Sequence, residues 1–280
     1  MRKINSAIIR KRVAELCIKA NMQLRPDVLA ALKAAYRREK KPRAKDILGA
    51  IIKNATLARR ENLAICQDTG LPCVFVELGD NVRITGELNA AINKGVEIGY
   101  KKGYLRNSIV KDPLSRRGSG YQPAIIHLDL VRGSNLRLTV LPKGFGCENK
   151  SRLRMFLPTA NIEQIKQFII ASVKEAGPDA CPPYVVGVGI GGTADFACLL
   201  AKKALLGKIT SNQHRAASIK HTLEQDLLSA INKLNIGPMG LGGKTTCLGV
   251  NIQTHPTHIA GLPVAINISC HALRSATKRL

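Results

Sequence analysis

Apolar residues recur three and four positions apart through residues 5–58. This spacing places them on one face of a helix and predicts a helical region. Pro26 fits the first turn of a second helix in this region, because the N–H that proline lacks would have no intrahelical partner there. The same spacing predicts further helices at residues 86–103, 161–175, 193–206 and 213–233.

Short apolar or alternating runs predict strands between the helices. Residues 124–131 and 136–141 alternate, and the intervening residues 132–135 (Arg-Gly-Ser-Asn) are typical of a turn that pairs two strands as a hairpin. The other predicted strands lie at residues 73–78, 184–190, 246–253 and 262–269. This mixture predicts one α+β domain over residues 1–280, with helices around a mixed sheet.

The segment 187–192, Gly-Val-Gly-Ile-Gly-Gly, fits the G-x-G-x-x-G pattern between a predicted strand and a predicted helix. In a dinucleotide-binding domain this pattern follows the first strand, and an acidic residue about 20 positions later contacts the ribose. Here more than half of the chain precedes the pattern, and no acidic residue lies near position 212. We therefore expect a tight strand-to-helix turn, or an anion site at a helix N-terminus, rather than a nicotinamide site.

The chain carries 43 Lys and Arg against 19 Asp and Glu, a formal net charge of +24. Such a charge favours anionic partners but says nothing about the fold. The basic residues occur throughout the chain, without zinc-finger spacing or the aromatic signature of an RNA-recognition domain. We expect attraction of acidic metabolites, or a general adaptation of charge, and not a nucleic-acid partner.

Neither a signal peptide nor a membrane-spanning segment is expected, because no apolar stretch has the required length and flanks. We therefore predict a cytoplasmic protein without a membrane partner. In that compartment thiols stay reduced, so the eight cysteines are expected to be free.

No two cysteines form a C-x-x-C pair. Cys73 and Cys198 fall among apolar residues and are expected in the core. Cys66, Cys181 and Cys270 instead lie at predicted boundaries between elements, where a side chain can face a cleft. From the residues alone, both inert thiols and a metal site remain open for these three.

A metal site of this kind has a specific chemistry. An iron–sulfur cluster held by three thiolates leaves one iron open, and that iron can act as a Lewis acid on a hydroxyl and a carboxylate. Removal of water from a dicarboxylic acid also requires a proton donor or acceptor and a cation for the carboxylates. Asp68 and Arg106 have the right side chains for these two tasks.

Several segments resemble, in the same order, the class I, iron–sulfur-dependent fumarases and the related L-tartrate dehydratases. The first contains Cys66-Gln67-Asp68-Thr69-Gly70. The matching segments lie at residues 65–70, 105–114, 142–149, 180–184, 187–195, 237–246 and 257–270. The resemblance covers the chain from about residue 10 to its end.

The resemblance implies a [4Fe-4S] cluster and a role for particular residues. The implied cluster ligands are Cys66, Cys181 and Cys270. The implied proton donor is Asp68. The implied substrate contacts are Gln67, Arg106, the backbone of Gly146, and His258, with His255 as the alternative histidine.

One position departs from the family pattern. Cys147 stands where the family usually has serine, beside the substrate-contacting backbone. A fourth thiolate ligand would close the catalytic iron, so we expect Cys147 to tune the pocket instead.

The resemblance also implies a partner. The chain ends ten residues after Cys270, whereas one-chain family members continue into a second domain with further carboxylate-binding residues. The implied protein is an alpha subunit that works with a beta subunit, expected as α2β2. The implied reaction is the reversible hydration of fumarate to (S)-malate.

Two alternatives remain. Dehydration of L-tartrate to oxaloacetate differs by one substrate hydroxyl, which a small change in a pocket can accommodate. The non-enzymatic alternative is a basic nucleic-acid-binding protein without catalysis.

Overall fold

The computed structural model describes residues 1–209 and 218–280. Eight α-helices occur in these residues: α1 (Ser6–Met22), α2 (Pro26–Arg38), α3 (Pro42–Glu61), α4 (Leu88–Lys102), α5 (Phe145–Glu148), α6 (Ile162–Ala176), α7 (Ala194–Ala204) and α8 (Ile219–Lys233). The strands in the same residues are β1 (Arg2–Asn5), β2 (Leu71–Gly79), β3 (Val82–Thr85), β4 (Ile109–Val110), β5 (Ser119–Gly120), β6 (Ile125–Val131), β7 (Leu136–Lys143), β8 (Arg152–Phe156), β9 (Tyr184–Gly192), β10 (Cys247–Thr257), β11 (Leu262–Ser269) and β12 (Ala276–Arg279). This mixture confirms the α+β class.

The described residues group into two compact units. The first comprises Met1–Arg25, Ala55–Phe145 and Arg274–Leu280, and the second comprises Pro26–Asn54 and Gly146–Leu273. Each unit has its own four-stranded sheet and its own apolar cluster. The prediction of a single domain over residues 1–280 stays a prediction.

The sheet of the first unit has the order β6-β2-β7-β12. Strand β2 is parallel to β6 and antiparallel to β7, and β12 pairs antiparallel with β7. Buried apolar residues of α1 and α4, such as Val13 and Val96, cluster with Val74 and Leu138 of the sheet. Full burial of each such side chain is worth about 1.5–3 kcal/mol, so this cluster anchors β2 and the segment that leads into it.

The predicted hairpin between residues 124–131 and 136–141 is wrong. Both strands exist as β6 and β7, but β2 lies between them in the sheet. The connection passes across the end of β2, where Gly79 N–H donates to Asn135 O and Asn81 N–H donates to Gly133 O. A Cβ at Gly79 would lie 2.3 Å from Gly133 O. The turn composition is local, whereas the insertion of β2 depends on a distant part of the chain.

The sheet of the second unit has the order β10-β9-β11-β8. Strand β9 is parallel to β10 and antiparallel to β11, so the pairing directions are those of the first sheet. One face of β9 presents Val186 and Val188 to the core that contains Leu227 of α8. The opposite face presents Gly187 and Gly189 to α7, where a Cβ at either position would lie 2.1 Å from a helix carbonyl oxygen.

Most predicted elements are confirmed, with shifted ends. Residues 262–269 form β11 with the predicted bounds, and α4 lies within the predicted helix at 86–103. The start of the helix predicted at 213–233 falls outside the described residues. Strand β8 was not predicted, because Arg152-Leu153-Arg154-Met155-Phe156 is basic on one face and forms a sheet edge.

None of the helices in residues 1–209 and 218–280 combines the length and the apolar character required to cross a membrane.

Close packing of α7 on β9 predicts that Gly189→Ala destabilises the chain. The added Cβ would meet Ala197 O at 2.1 Å and Ala201 N at 2.6 Å, both backbone atoms. We expect the free energy of unfolding to fall by about 1–3 kcal/mol, as in other overpacked sites. Urea unfolding measures it. The control is Gly261→Ala, which has no atom within 4 Å of the added Cβ and should change stability by less than about 0.5 kcal/mol. Equal effects of the two substitutions would contradict the packing described here.

Candidate active site

The segment 66–70 leads into β2 in the first unit. Gly70 makes the turn with a φ of +75°, and a Cβ there would lie 2.7 Å from the carbonyl carbon of Pro142. Only glycine adopts this conformation without strain and also permits this close approach. The turn therefore sets the position of the three residues before it.

Asp68 is held by two backbone amides. Its Oδ1 accepts the N–H of Gly70 at 2.9 Å, and its Oδ2 accepts the N–H of Phe145 at 2.9 Å. Hydrogen bonds to an ionised carboxylate are shorter and stronger than neutral ones. The carboxylate therefore has one fixed orientation, while its residue remains half-buried.

Two buried side chains hold the backbone of the same segment. The Tyr100 hydroxyl lies 2.9 Å from Thr69 O and 3.0 Å from Gly70 O, and its single proton is shared between these two carbonyl oxygens. Burial raises the pKa of Tyr100, so the phenol keeps its donor proton. Arg274 donates from Nη2 to Asp68 O. Neither Tyr100 nor Arg274 was singled out from the sequence.

Arg106 is also attached to this segment. Its backbone N–H donates to Thr69 Oγ1 at 3.1 Å, and its Nη1 donates to Gln67 O at 3.4 Å. The side chain is exposed, and within the described part of the chain the rest of its guanidinium has no hydrogen-bond partner. Its remaining donors suit bidentate binding of a carboxylate.

In the second unit, the backbones of Cys181 and Cys270 lie close together. His271, which follows Cys270, donates to Cys181 O from its backbone N–H at 3.3 Å and from its ring Nδ1 at 3.0 Å. Cys181 has a φ of +56°, in the left-handed region that non-glycine residues rarely adopt. The two bonds from His271 hold this strained backbone in place.

Cys147 lies between these two backbones. Its Sγ accepts the N–H of Cys270 at 3.1 Å, and its thiol faces Ala180 O at 3.5 Å. The side chain is buried, unlike those of Cys181 and Cys270, which are half-buried. Cys147 therefore connects the two segments through its sulfur.

The glycine-rich segment 187–192 forms the end of strand β9. Its last two residues, Gly191 and Gly192, have positive φ and make the predicted tight turn from the strand into α7. Asp195 lies in the first turn of α7, and hydrogen bonds from the Thr193 hydroxyl and the Phe196 amide lower its pKa. This carboxylate itself occupies the amide-rich end of the helix.

Cys198, predicted in the core, is exposed on α7, because the apolar face of the helix is narrower than the sequence pattern indicated.

His255 lies near the end of β10, and His258 lies in the connection between β10 and β11. Both residues are exposed. The His255 ring packs edge-on against Phe196 at 4.8 Å, and its Nδ1 donates to Pro256 O at 2.9 Å. The Nδ1 of His258 accepts the N–H of Ala260 at 3.1 Å. This bond leaves the Nε2 of His258 exposed, as a ligand-binding histidine requires.

The predicted site residues are thus distributed over the two units. Gln67, Asp68 and Arg106 lie together with Cys66 in the first. The second contains Gly146, Cys181, His258 and Cys270. None of the eight cysteines, all of which lie in residues 1–209 and 218–280, forms a disulfide. Within residues 1–209 and 218–280, no three His, Cys, Asp or Glu side chains are arranged as a metal-binding group.

The fold and these motifs define the chain as a hydro-lyase of the fumarate hydratase family. The family model "Fumarate hydratase (Fumerase)" matches residues 10–279. The chain therefore belongs to this family.

Two relatives are similar over nearly the whole chain. A protein of Methanocaldococcus jannaschii, provisionally described as an L(+)-tartrate dehydratase subunit alpha, is 41% identical over 276 residues and covers 96% of each chain. The L(+)-tartrate dehydratase subunit alpha of Escherichia coli is 30% identical over 274 residues, covering 96% of this chain and 89% of that protein.

The left-handed backbone of Cys181 predicts an unusual response to glycine. We expect the free energy of unfolding of the Cys181→Gly variant to be about 1 kcal/mol higher than that of the Cys181→Ala variant. The reason is that only glycine adopts a positive φ without strain. Urea unfolding of the metal-free chain measures this difference. An alanine variant as stable as the glycine variant would show that the strain is absent.

Proposed function

We propose that this chain is the alpha subunit of a hydro-lyase that adds water to, or removes it from, a four-carbon dicarboxylic acid. The observation that carries the proposal is the family match over residues 10–279. The fixed carboxylate of Asp68 beside the free donors of Arg106 supports it.

We propose that Cys66, Cys181 and Cys270 are the ligands of a [4Fe-4S] cluster. Their donor chemistry fits, because each is a half-buried thiol that forms no disulfide and lies outside the helices and strands. The assignment of all three to one cluster rests on family membership. When bound, the cluster would supply an open iron that acts as a Lewis acid on the substrate hydroxyl and an adjacent carboxylate.

The chain's own residues would bind the substrate and move a proton. Arg106 would neutralise one substrate carboxylate with the donors that Gln67 O leaves free. Asp68 would protonate the departing hydroxyl during dehydration and accept a proton from the attacking water during hydration. Its two amide bonds keep the carboxylate in one orientation for this transfer. Gln67, the Gly146 backbone and His258 would provide further substrate contacts.

The substrate we propose is fumarate, hydrated reversibly to (S)-malate. L-tartrate, dehydrated to oxaloacetate, is the second candidate, and the names of both relatives favour it. (S)-Malate and L-tartrate have the same four-carbon dicarboxylate skeleton and differ by one hydroxyl, so the residues that bind carboxylates serve both reactions.

We propose that a separate beta subunit completes the enzyme as an α2β2 assembly. Both relatives are named as alpha subunits. The beta subunit would supply further cations for the substrate carboxylates and the base that opposes Asp68. Co-purification of the two chains, with the mass of the complex from light scattering, tests this assembly.

Anaerobic reconstitution with iron and sulfide tests the cluster. We expect a brown chain with about four irons and four sulfides, and loss of most of this iron in Cys66→Ala, Cys181→Ala and Cys270→Ala, since each removes a thiolate ligand. Cys198→Ala is the matched control, because this thiol is exposed and has no proposed ligand role. A wild-type chain without iron, or equal iron in all four variants, would disprove the ligand assignment.

Turnover by the reconstituted two-subunit complex tests the substrate. We expect a kcat/KM for fumarate at least about tenfold above that for L-tartrate, the scale on which one substituent is discriminated. The reverse ratio identifies the complex as a tartrate dehydratase. Asp68→Asn should reduce kcat about 10²–10⁴-fold in either case, because it removes the proton-transfer group. Full activity of that variant would exclude Asp68 from catalysis.

A further inference from the structure

Arg274 is a deeply buried cation with few partners. It is 3% exposed and donates from Nη2 to Asp68 O. Its Nε and Nη1 are buried without a hydrogen-bond partner in residues 1–209 and 218–280. No carboxylate in that part of the chain pairs with it.

Stability does not account for an arginine at this position. A guanidinium keeps its charge at any physiological pH, and burying a charge without a counter-charge is unfavourable. An apolar side chain of similar length often replaces a buried ion with no loss of stability. Within residues 1–209 and 218–280, the hydrogen bond that Arg274 makes is the one to Asp68 O, and this bond offers the explanation.

This contact belongs to a set. The carbonyls of residues 67–70 all accept from side chains, with Arg106 bound to the first, Arg274 to the second, and Tyr100 to the third and fourth. Asp68 is thus fixed at three atoms, namely its carbonyl oxygen by Arg274 and its two carboxylate oxygens by the amides of Gly70 and Phe145. Without Arg274, the Asp68 carbonyl oxygen would lose this donor, and the peptide that carries the carboxylate would be less firmly held.

We propose that Arg274 is a positioning residue, which fixes the peptide of Asp68 so that its carboxylate holds one orientation for proton transfer. The expected effect of Arg274 on turnover rests on the proposed function of Asp68. The expected effect of Arg274 on the backbone does not. The residue lies four positions after Cys270, so one short segment carries both a proposed ligand and the support for the proton donor.

Hydrogen exchange of the metal-free chain tests the backbone effect. In Arg274→Met we expect the amides of Gly70 and Phe145 to exchange at least about tenfold faster than in the wild type, since bonds to an ionised group are lost. Amides of α7 should keep their protection, and the urea midpoint should be unchanged or higher. The matched control is Arg279→Met, at an exposed position on β12, which should leave all these amides unchanged.

Two results would overturn the proposal. One is a folded Arg274→Met chain in which Gly70 and Phe145 keep wild-type exchange. The other is a variant that unfolds or loses protection throughout, because Arg274 would then serve the fold as a whole. Arg274→Lys retains the charge and can still donate a hydrogen bond, so the exchange rates of Gly70 and Phe145 should lie between those of the wild type and Arg274→Met.

Kinetics of the reconstituted complex test the consequence. A misplaced proton donor should lower kcat about 10²-fold in Arg274→Met, while KM changes little because the carboxylate-binding residues remain. Partial recovery of kcat in Arg274→Lys supports positioning. Wild-type kcat in Arg274→Met contradicts it. An inactive wild-type complex would refute the proposed function instead, and the exchange experiment would still decide the role of Arg274.

Discussion

The candidate site in the first unit depends on hydrogen bonds from side chains to four consecutive backbone carbonyls, those of residues 67–70. These residues precede β2 and lie outside its ladder, so the sheet does not hold them. Tyr100, Arg106 and Arg274 supply the donors instead. A buried backbone must satisfy its polar groups, and here the donors also determine where Asp68 points. The segment is therefore rigid without being secondary structure.

The second unit solves a similar problem with strain. Cys181 keeps a left-handed backbone, and His271 donates two hydrogen bonds to its carbonyl oxygen. Cys147 joins the same region to Cys270 through its sulfur. Strained residues persist only where their surroundings hold them, and they concentrate at functional sites. The second unit therefore fixes the backbones of Cys181 and Cys270, whereas the first unit fixes the residues that follow Cys66.

Local patterns predicted much of this structure. The helical spacing in residues 5–58 and the apolar run of β11 depend on near neighbours, and both elements are present. The supposed hairpin at residues 132–135 failed because β2, some 60 positions earlier, separates the two strands. The family motifs contained Cys66, Asp68 and Arg106, so their sequence neighbourhood revealed them.

The buried residues that hold the backbone of the site could not be predicted in the same way. Tyr100 and Arg274 lie about 30 and 206 positions from their acceptors, and neither belongs to a recognisable motif. The one available signal was the position of Arg274 among the apolar residues Ala272, Leu273 and Ala276, where a charged residue is unusual. Exposure of Cys198 likewise depends on how α7 lies on β9, which spacing alone does not determine.

We propose that this chain brings one open iron of a cluster to a dicarboxylate substrate. Mössbauer spectroscopy of the two-subunit complex, reconstituted with ⁵⁷Fe, tests this proposal. We expect fumarate to change the signal of a single iron, because three thiolates leave only one iron open to substrate. A spectrum in which all irons remain unchanged at saturating fumarate and at saturating L-tartrate would contradict it.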